Sequence, residues 1–100
     1  MNGIVTIEEI KSHSTGHWFD PGSMRFFRSR LPQTGYRVDN KAYFISSEQF
    51  IGSNGIPAPR LYTIRVLDYE TGEIDTLGEF NKLTKSEART QLNKIIKTIS

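Results

Sequence analysis

The stretch YTIRVLDYETGEIDTLGEF, residues 62–80, decides the fold. Tyr62, Ile64 and Val66 alternate with Thr63 and Arg65, the two-residue period of a strand with one apolar face. Residues 68–72 form a polar turn in which Gly72 supplies a positive φ, and residues 74–80 return as a pairing strand. Ile74, Leu77 and Phe80 are three apart, which strict alternation forbids, so a bulge is expected near Gly78.

Downstream, Thr84-Lys85-Ser86-Glu87 is a capping box. The threonine oxygen accepts a backbone N–H, and the glutamate reaches back to the cap's own N–H. Ala88, Leu92, Ile95, Ile96 and Ile99 then mark one apolar stripe at helical spacing. Upstream, Tyr43-Phe44-Ile45 is a β-rich run, and Tyr36-Arg37-Val38 forms a further strand joined to it around Asp39-Asn40. Thr6-Ile7-Glu8-Glu9 repeats the capping box before a short helix whose Ile7 and Ile10 face inward. The reading is an α+β fold: N-terminal short helices, an antiparallel sheet of three to four strands, and a C-terminal helix packed on one sheet face.

One hundred residues make a single domain, 1–100. At 36 % hydrophobic and 24 % charged residues, the composition is that of a folded soluble chain rather than a disordered one. No apolar run is long enough for a membrane span, and residues 1–10 lack the basic-then-apolar layout of a signal peptide. A cytoplasmic location is expected, in keeping with the absence of cysteine, which also excludes disulfides and thiolate chemistry. Charge is unevenly spread. Arg25, Arg28, Arg30, Arg37 and Lys41 stand against Asp39 alone, whereas Asp68, Glu70, Glu73, Asp75 and Glu79 follow with no base among them. Residues 82–97 are basic again. Either the protein has two oppositely charged faces or these patches neutralise each other.

The densest segment is GHWFDPGSMRFFRSR, residues 16–30. Asp20 is placed to cap a helix with Pro21 at its first position. A helix over residues 21–31 puts Met24, Phe27 and Leu31 on one inward face and Arg25 and Arg28 on another. Arg25, Arg28 and Arg30, with Phe26 or Trp18 nearby, are then either a patch for phosphate or a protein partner, or a solvated face over an aromatic core. His13, His17 and Asp20 have spacings that could ligate zinc on a continuous helix, but Gly16 and the Ser-Thr run before it argue against that helix. The chain has no nucleophile elbow and no phosphate-cradling glycine loop, so no catalytic residue, cofactor or small-molecule substrate is marked and a non-enzymatic binding role is expected.

Two resemblances bear on that role. Gly16-His17-Trp18-Phe19-Asp20, Met24-Arg25-Phe26-Phe27-Arg28-Ser29-Arg30, Tyr43-Phe44-Ile45-Ser46-Ser47-Glu48 and Tyr62-Thr63-Ile64-Arg65 resemble a family of small uncharacterised domains. These domains are met in bacteriophages, prophages and bacterial genomes. The likeness implies a phage or mobile-element setting, in which small domains often bind nucleic acid or a host protein, including as inhibitors of host defence. It transfers no site residues. The layout of residues 60–96 is similar to the three-stranded-sheet-plus-helix DNA-binding domains of the AP2 and integrase arm-binding types. That likeness implies a DNA-reading face carrying Arg60, Thr63, Arg65, Asp75 and Thr76. Yet this face has only two arginines and is flanked by five carboxylates, which phosphates repel. The expected partner is thus nucleic acid or a host protein, met through Arg25, Arg28, Arg30, Arg37, Phe26, Trp18, Arg60 and Arg65, or, for a protein partner, through the acidic hairpin.

Overall fold

The protein is described by a computed structural model over residues 2–15, 19–26 and 28–99, apart from the side chain of Ser23. Its elements run β1 (Gly3–Thr6), α1 (Ile7–His13), α2 (Pro21–Phe26), β2 (Thr34–Val38), β3 (Lys41–Glu48), β4 (Leu61–Asp68), β5 (Ile74–Leu77) and α3 (Lys85–Ile99). The strands form an antiparallel five-stranded sheet in the order β1-β2-β3-β4-β5. The α+β class and the C-terminal helix on the sheet are as expected, but the sheet has five strands rather than three to four. The additional strand is β1, whose residues 3–6 pair with residues 37–34 of β2. Thr6 ends that strand and caps α1, its side chain accepting from the Glu9 N–H at 3.2 Å.

Both faces of the sheet are covered. On one, Ile7 and Ile10 of α1 meet Ala42, Phe44 and Leu67, with Phe19, Leu31 and Ile74 packed around them. On the other, Leu92 and Ile95 of α3 meet Val38, Tyr43, Val66, Tyr36 and Leu77. This explains the three-residue spacing in β5. Ile74 and Leu77 serve opposite faces, so no bulge is needed; the strand ends at Leu77, and Gly78 (φ 77°) opens the turn that follows. Gly72 takes the positive φ expected of it, 75°. The second capping box is complete: the Thr84 N–H donates to Glu87 Oε1 at 3.0 Å and the Glu87 N–H to Thr84 Oγ1 at 3.2 Å.

Helix α2 stops at Phe26 instead of running to residue 31. The Ser29 N–H donates to the Met24 carbonyl at 2.8 Å and the Arg28 N–H to that of Arg25 at 3.1 Å. With Arg28 at φ 50°, these bonds make a Schellman C-cap. Met24 and Leu31 are half-buried, in line with the inward face expected of them, while Phe27 lies outside the described residues.

Candidate basic cleft

The Schellman turn delivers Arg28 and Arg30 to one end of the sheet and fixes them there. The Arg30 N–H donates to the Ser47 carbonyl and the Ser47 N–H to that of Arg30, at 2.9 and 3.1 Å. Ser29 donates its hydroxyl to Glu48 at 3.3 Å. Arg60, just ahead of β4, donates through Nη1 to the Arg28 carbonyl at 2.9 Å and to Ser47 Oγ at 3.0 Å. A recess of about 430 Å³ results, lined by Arg25, Arg28, Arg30 and Arg60 together with Met24, Ser29 and Gln49.

Arg30 also borders a second recess of about 370 Å³ that continues past Ile45 and Tyr62 to Lys85 and Arg89 of α3. Lys85 and Arg89 border a third, about 380 Å³, with Ser86, Thr90 and Asn93. Six cations thus line three adjoining recesses, which share Arg30, Lys85 and Arg89 and whose described lining holds no carboxylate. Among the described residues, none of the ion pairs engages these six; they join Lys11 to Glu8, Arg65 to Glu48 and Lys82 to Glu79. Burial, then the neighbouring Arg30 and less strongly Arg28, hold the Arg60 guanidinium below its ordinary pKa, while Tyr62 and Glu48 act in the opposite sense. The like charges of Arg30 and Arg28 thus lie close to Arg60 at the recess.

Asp68, Glu70 and Glu73 of the acidic segment lie at the other end of the strands, whereas Asp75 and Glu79 follow β5 back toward the cleft end. Lys41 pairs with Asp68 and Glu48 with Leu61, so β4 spans roughly 23 Å from the cleft to the acidic turn. The two patches are therefore only partly separated: Arg25, Arg28 and Arg30 stand at the cleft, while Arg37 and Lys41 stand at the acidic end, Lys41 opposite Asp68.

The site residues expected from the sequence divide accordingly. Arg25, Arg28, Arg30 and Arg60 come together. Arg37 does not join them: it stands at the acidic end, its guanidinium 4.0 Å from the centre of the Tyr69 ring and its Nε–H donating to the Asp39 carbonyl at 2.8 Å. Arg65 is buried beneath the surface, paired with Glu48 and donating from Nε to Ser46 Oγ at 3.1 Å and from Nη1 to Thr76 Oγ1. With Thr63 also fully buried, the sheet face that the AP2-type layout offers to DNA is closed, because β4 is apolar on one side and covered on the other. Phe26 is 79 % exposed. Trp18 and His17 lie outside the described residues. Lys85 and Arg89 were not among the expected site residues; their signal was the basic side of α3 next to its capping box.

A model for a family of unknown function, DUF7447, matches residues 3–93. The chain belongs to that family. No curated protein and no solved structure matches it. The family match spans every strand, both N-terminal helices and the half of α3 that carries Lys85 and Arg89. Among the described residues, no helix is long and apolar enough to cross a membrane.

Proposed function

We propose that this DUF7447 chain is a small non-enzymatic binding module that takes a nucleic acid in the basic cleft. The observation carrying this reading is the gathering of Arg25, Arg28, Arg30, Arg60, Lys85 and Arg89 around adjoining recesses without a carboxylate in their described lining. Neutralising phosphates with such groups releases counterions, which is the largest favourable contribution to non-specific nucleic-acid binding. The likeness to phage, prophage and bacterial domains supports a mobile-element setting.

The test is fluorescence anisotropy with labelled DNA and RNA, duplex and single-stranded, at two salt concentrations. Binding strong at low salt should fall with a log–log slope of about −0.7 to −0.9 per neutralised phosphate. Replacing Arg28 and Arg60 with alanine together should weaken it at least ~10-fold, as expected from losing two arginine–phosphate contacts. Absence of binding at low salt to every one of these nucleic acids would sink the reading. A second reading, docking of an acidic host-protein surface, is favoured by the exposed Phe26 on α2, the helix that carries Arg25. It gains ground if pull-downs from the native host recover a protein and no nucleic acid.

A further inference from the structure

We infer that the hairpin joining β3 to β4, residues 49–60, enters the major groove of a DNA duplex whose backbone lies against the arginines at the hairpin's base. The inference rests on the nucleic-acid reading above and adds to it the form of the ligand. Its first support is where the hairpin stands. Gln49 and Arg60, its two feet, both line the recess that Arg25, Arg28 and Arg30 line. Between them residues 51–59 are all exposed, among them Ile51 at 44 % and Ile56 at 64 %.

The second support is that the hairpin is held in shape. Ile51 and Pro57 bridge its arms. The Gly52 N–H donates to the Ile56 carbonyl at 2.9 Å, the Ala58 N–H to that of Phe50 at 2.8 Å, and Gln49 Nε2 to the Ala58 carbonyl at 3.1 Å. At the tip, Asn54 Oδ1 accepts the Ile56 N–H at 3.0 Å, and Gly55 takes a φ of 81°. A segment fixed in this way loses little conformational entropy on binding. The Ser53 hydroxyl and the Asn54 Nδ2 hydrogens have no hydrogen-bond partner among the described residues.

The third support is composition. Residues 49–59, QFIGSNGIPAP, carry no charge, and residues 51–59 no aromatic ring. Such a segment neither pairs with phosphates nor stacks on unpaired bases, so a single strand offers it little. The major groove of B-DNA, about 12 Å wide and 8.5 Å deep, admits a two-stranded ribbon. It presents thymine methyls to isoleucines and base edges to groups such as Ser53 and Asn54. From Gln49 to Ser53 the arm reaches up to ~13 Å, so the tip can meet the groove floor while the arginines stay at the phosphates. The minor groove, about 6 Å wide, is too narrow for two arms, and the major groove of an RNA duplex is closed to side chains.

The test is fluorescence anisotropy of a short mixed-sequence DNA duplex, its single strand and the RNA duplex of the same sequence. Wild type is compared with a variant in which Asn-Gly replaces residues 51–57. The Ala58-to-Phe50 bond then closes a two-residue turn, and melting should be unchanged because the removed residues are in solvent. Wild type should bind the DNA duplex at least ~5-fold tighter than either other nucleic acid, the worth of one base-edge contact. The shortened variant should lose that advantage and keep the salt slope, since no charge is removed, whereas the double alanine variant of Arg28 and Arg60 should lower the slope. Wild type should also protect guanine N7, which faces the major groove, from methylation by dimethyl sulfate. Single-strand or RNA-duplex binding as tight as that of the DNA duplex, unaltered affinity in the shortened variant, or unprotected guanine N7 overturns this inference and leaves the nucleic-acid reading intact. Binding of none of the three overturns both.

Discussion

Arg65 on β4 and Glu48 on β3 stand 3.8 Å apart inside the protein, with side chains 9 % and 2 % exposed. Each also reaches hydroxyls: Ser46 and Thr76 for the guanidinium, Ser29 and Thr63 for the carboxylate. Burial lowers the Arg65 pKa and Glu48 partly offsets this. Removing one partner leaves the other as a buried uncompensated charge, so Glu48→Ala and Arg65→Ala should each cost about 3–5 kcal/mol in urea unfolding. The double variant Glu48→Leu, Arg65→Met should lose less than the sum of the singles. Additive losses would show that the pair is not coupled.

Arg65 also shows what the sequence could and could not disclose. The alternation of Tyr62, Ile64 and Val66 with Thr63 and Arg65 assigned each residue to its face correctly. Periodicity carries parity, however, and not solvent; the polar face is wet only if nothing covers it, and here it is closed over. The same double coverage accounts for Ile74 and Leu77. Strand β1 was illegible because four residues, two of them apolar, stand directly before a helix cap, and their pairing with β2 is a tertiary event. The helix start at Pro21 was legible from Asp20-Pro21, but its end was not, since a Schellman cap at Arg28 lacks the usual glycine. The cleft gathers residues from four separate parts of the chain, so only its arginine-rich first part could be read locally.

Arg28 occupies that cap at φ 50°, a conformation costing a non-glycine residue about 1–2 kcal/mol. Arg28→Gly should therefore stabilise the fold by up to ~1 kcal/mol, the remainder being lost to greater freedom of the unfolded chain. The same substitution removes a cation from the cleft and should weaken nucleic-acid binding. A higher melting temperature together with a poorer Kd is the expected signature. A lower melting temperature would mean that contacts of the Arg28 side chain outweigh the backbone strain.

Gly35 on β2 is required by close approach, not by its φ. A Cβ there would lie 2.6 Å from the Tyr43 carbonyl oxygen, 2.9 Å from Ile10 Cδ1 and 3.3 Å from Phe44 Cβ. The first of these is backbone in the β2–β3 ladder and cannot retreat without loosening it. Gly35→Ala should cost about 1–3 kcal/mol, the usual range for overpacking, measured as a lower urea midpoint. An unchanged midpoint would mean that the β2–β3 ladder and Ile10 both give way without cost.

The Glu87 carboxyl is held below its ordinary pKa, first by the Thr84 N–H and then by the Thr84 side chain. A depressed carboxylate pKa contributes stability that is present above the unfolded value, about 4.3, and is lost as pH falls through the lowered folded value. The carbon-13 titration of the Glu87 carboxyl should thus have a midpoint below that of a glutamate in a peptide, and Thr84→Ala should move it upward. A midpoint unmoved by Thr84→Ala would show that the Thr84 side chain contributes nothing to the depression, which then rests on the backbone N–H.

Arg37 is the control for the cleft. It lies at the acidic end of the sheet, stacked on Tyr69, and lines none of the recesses described above for Arg28, Arg30 and Arg60. Arg37→Ala should remove a cation–π contact worth about 0.5–1 kcal/mol while leaving nucleic-acid affinity within twofold of wild type. Arg30→Ala should do the reverse, because Arg30 lines two recesses and its backbone bonds to Ser47 survive the change. A tyrosinate titration gives an independent reading. Burial and Glu9 raise the Tyr69 pKa while Arg37 lowers it, so the Tyr69 midpoint in Arg37→Ala should rise further. If Arg37→Ala weakened binding as much as Arg30→Ala, the partner would be held by the overall field of the molecule rather than by the cleft, and the site would have to be redrawn.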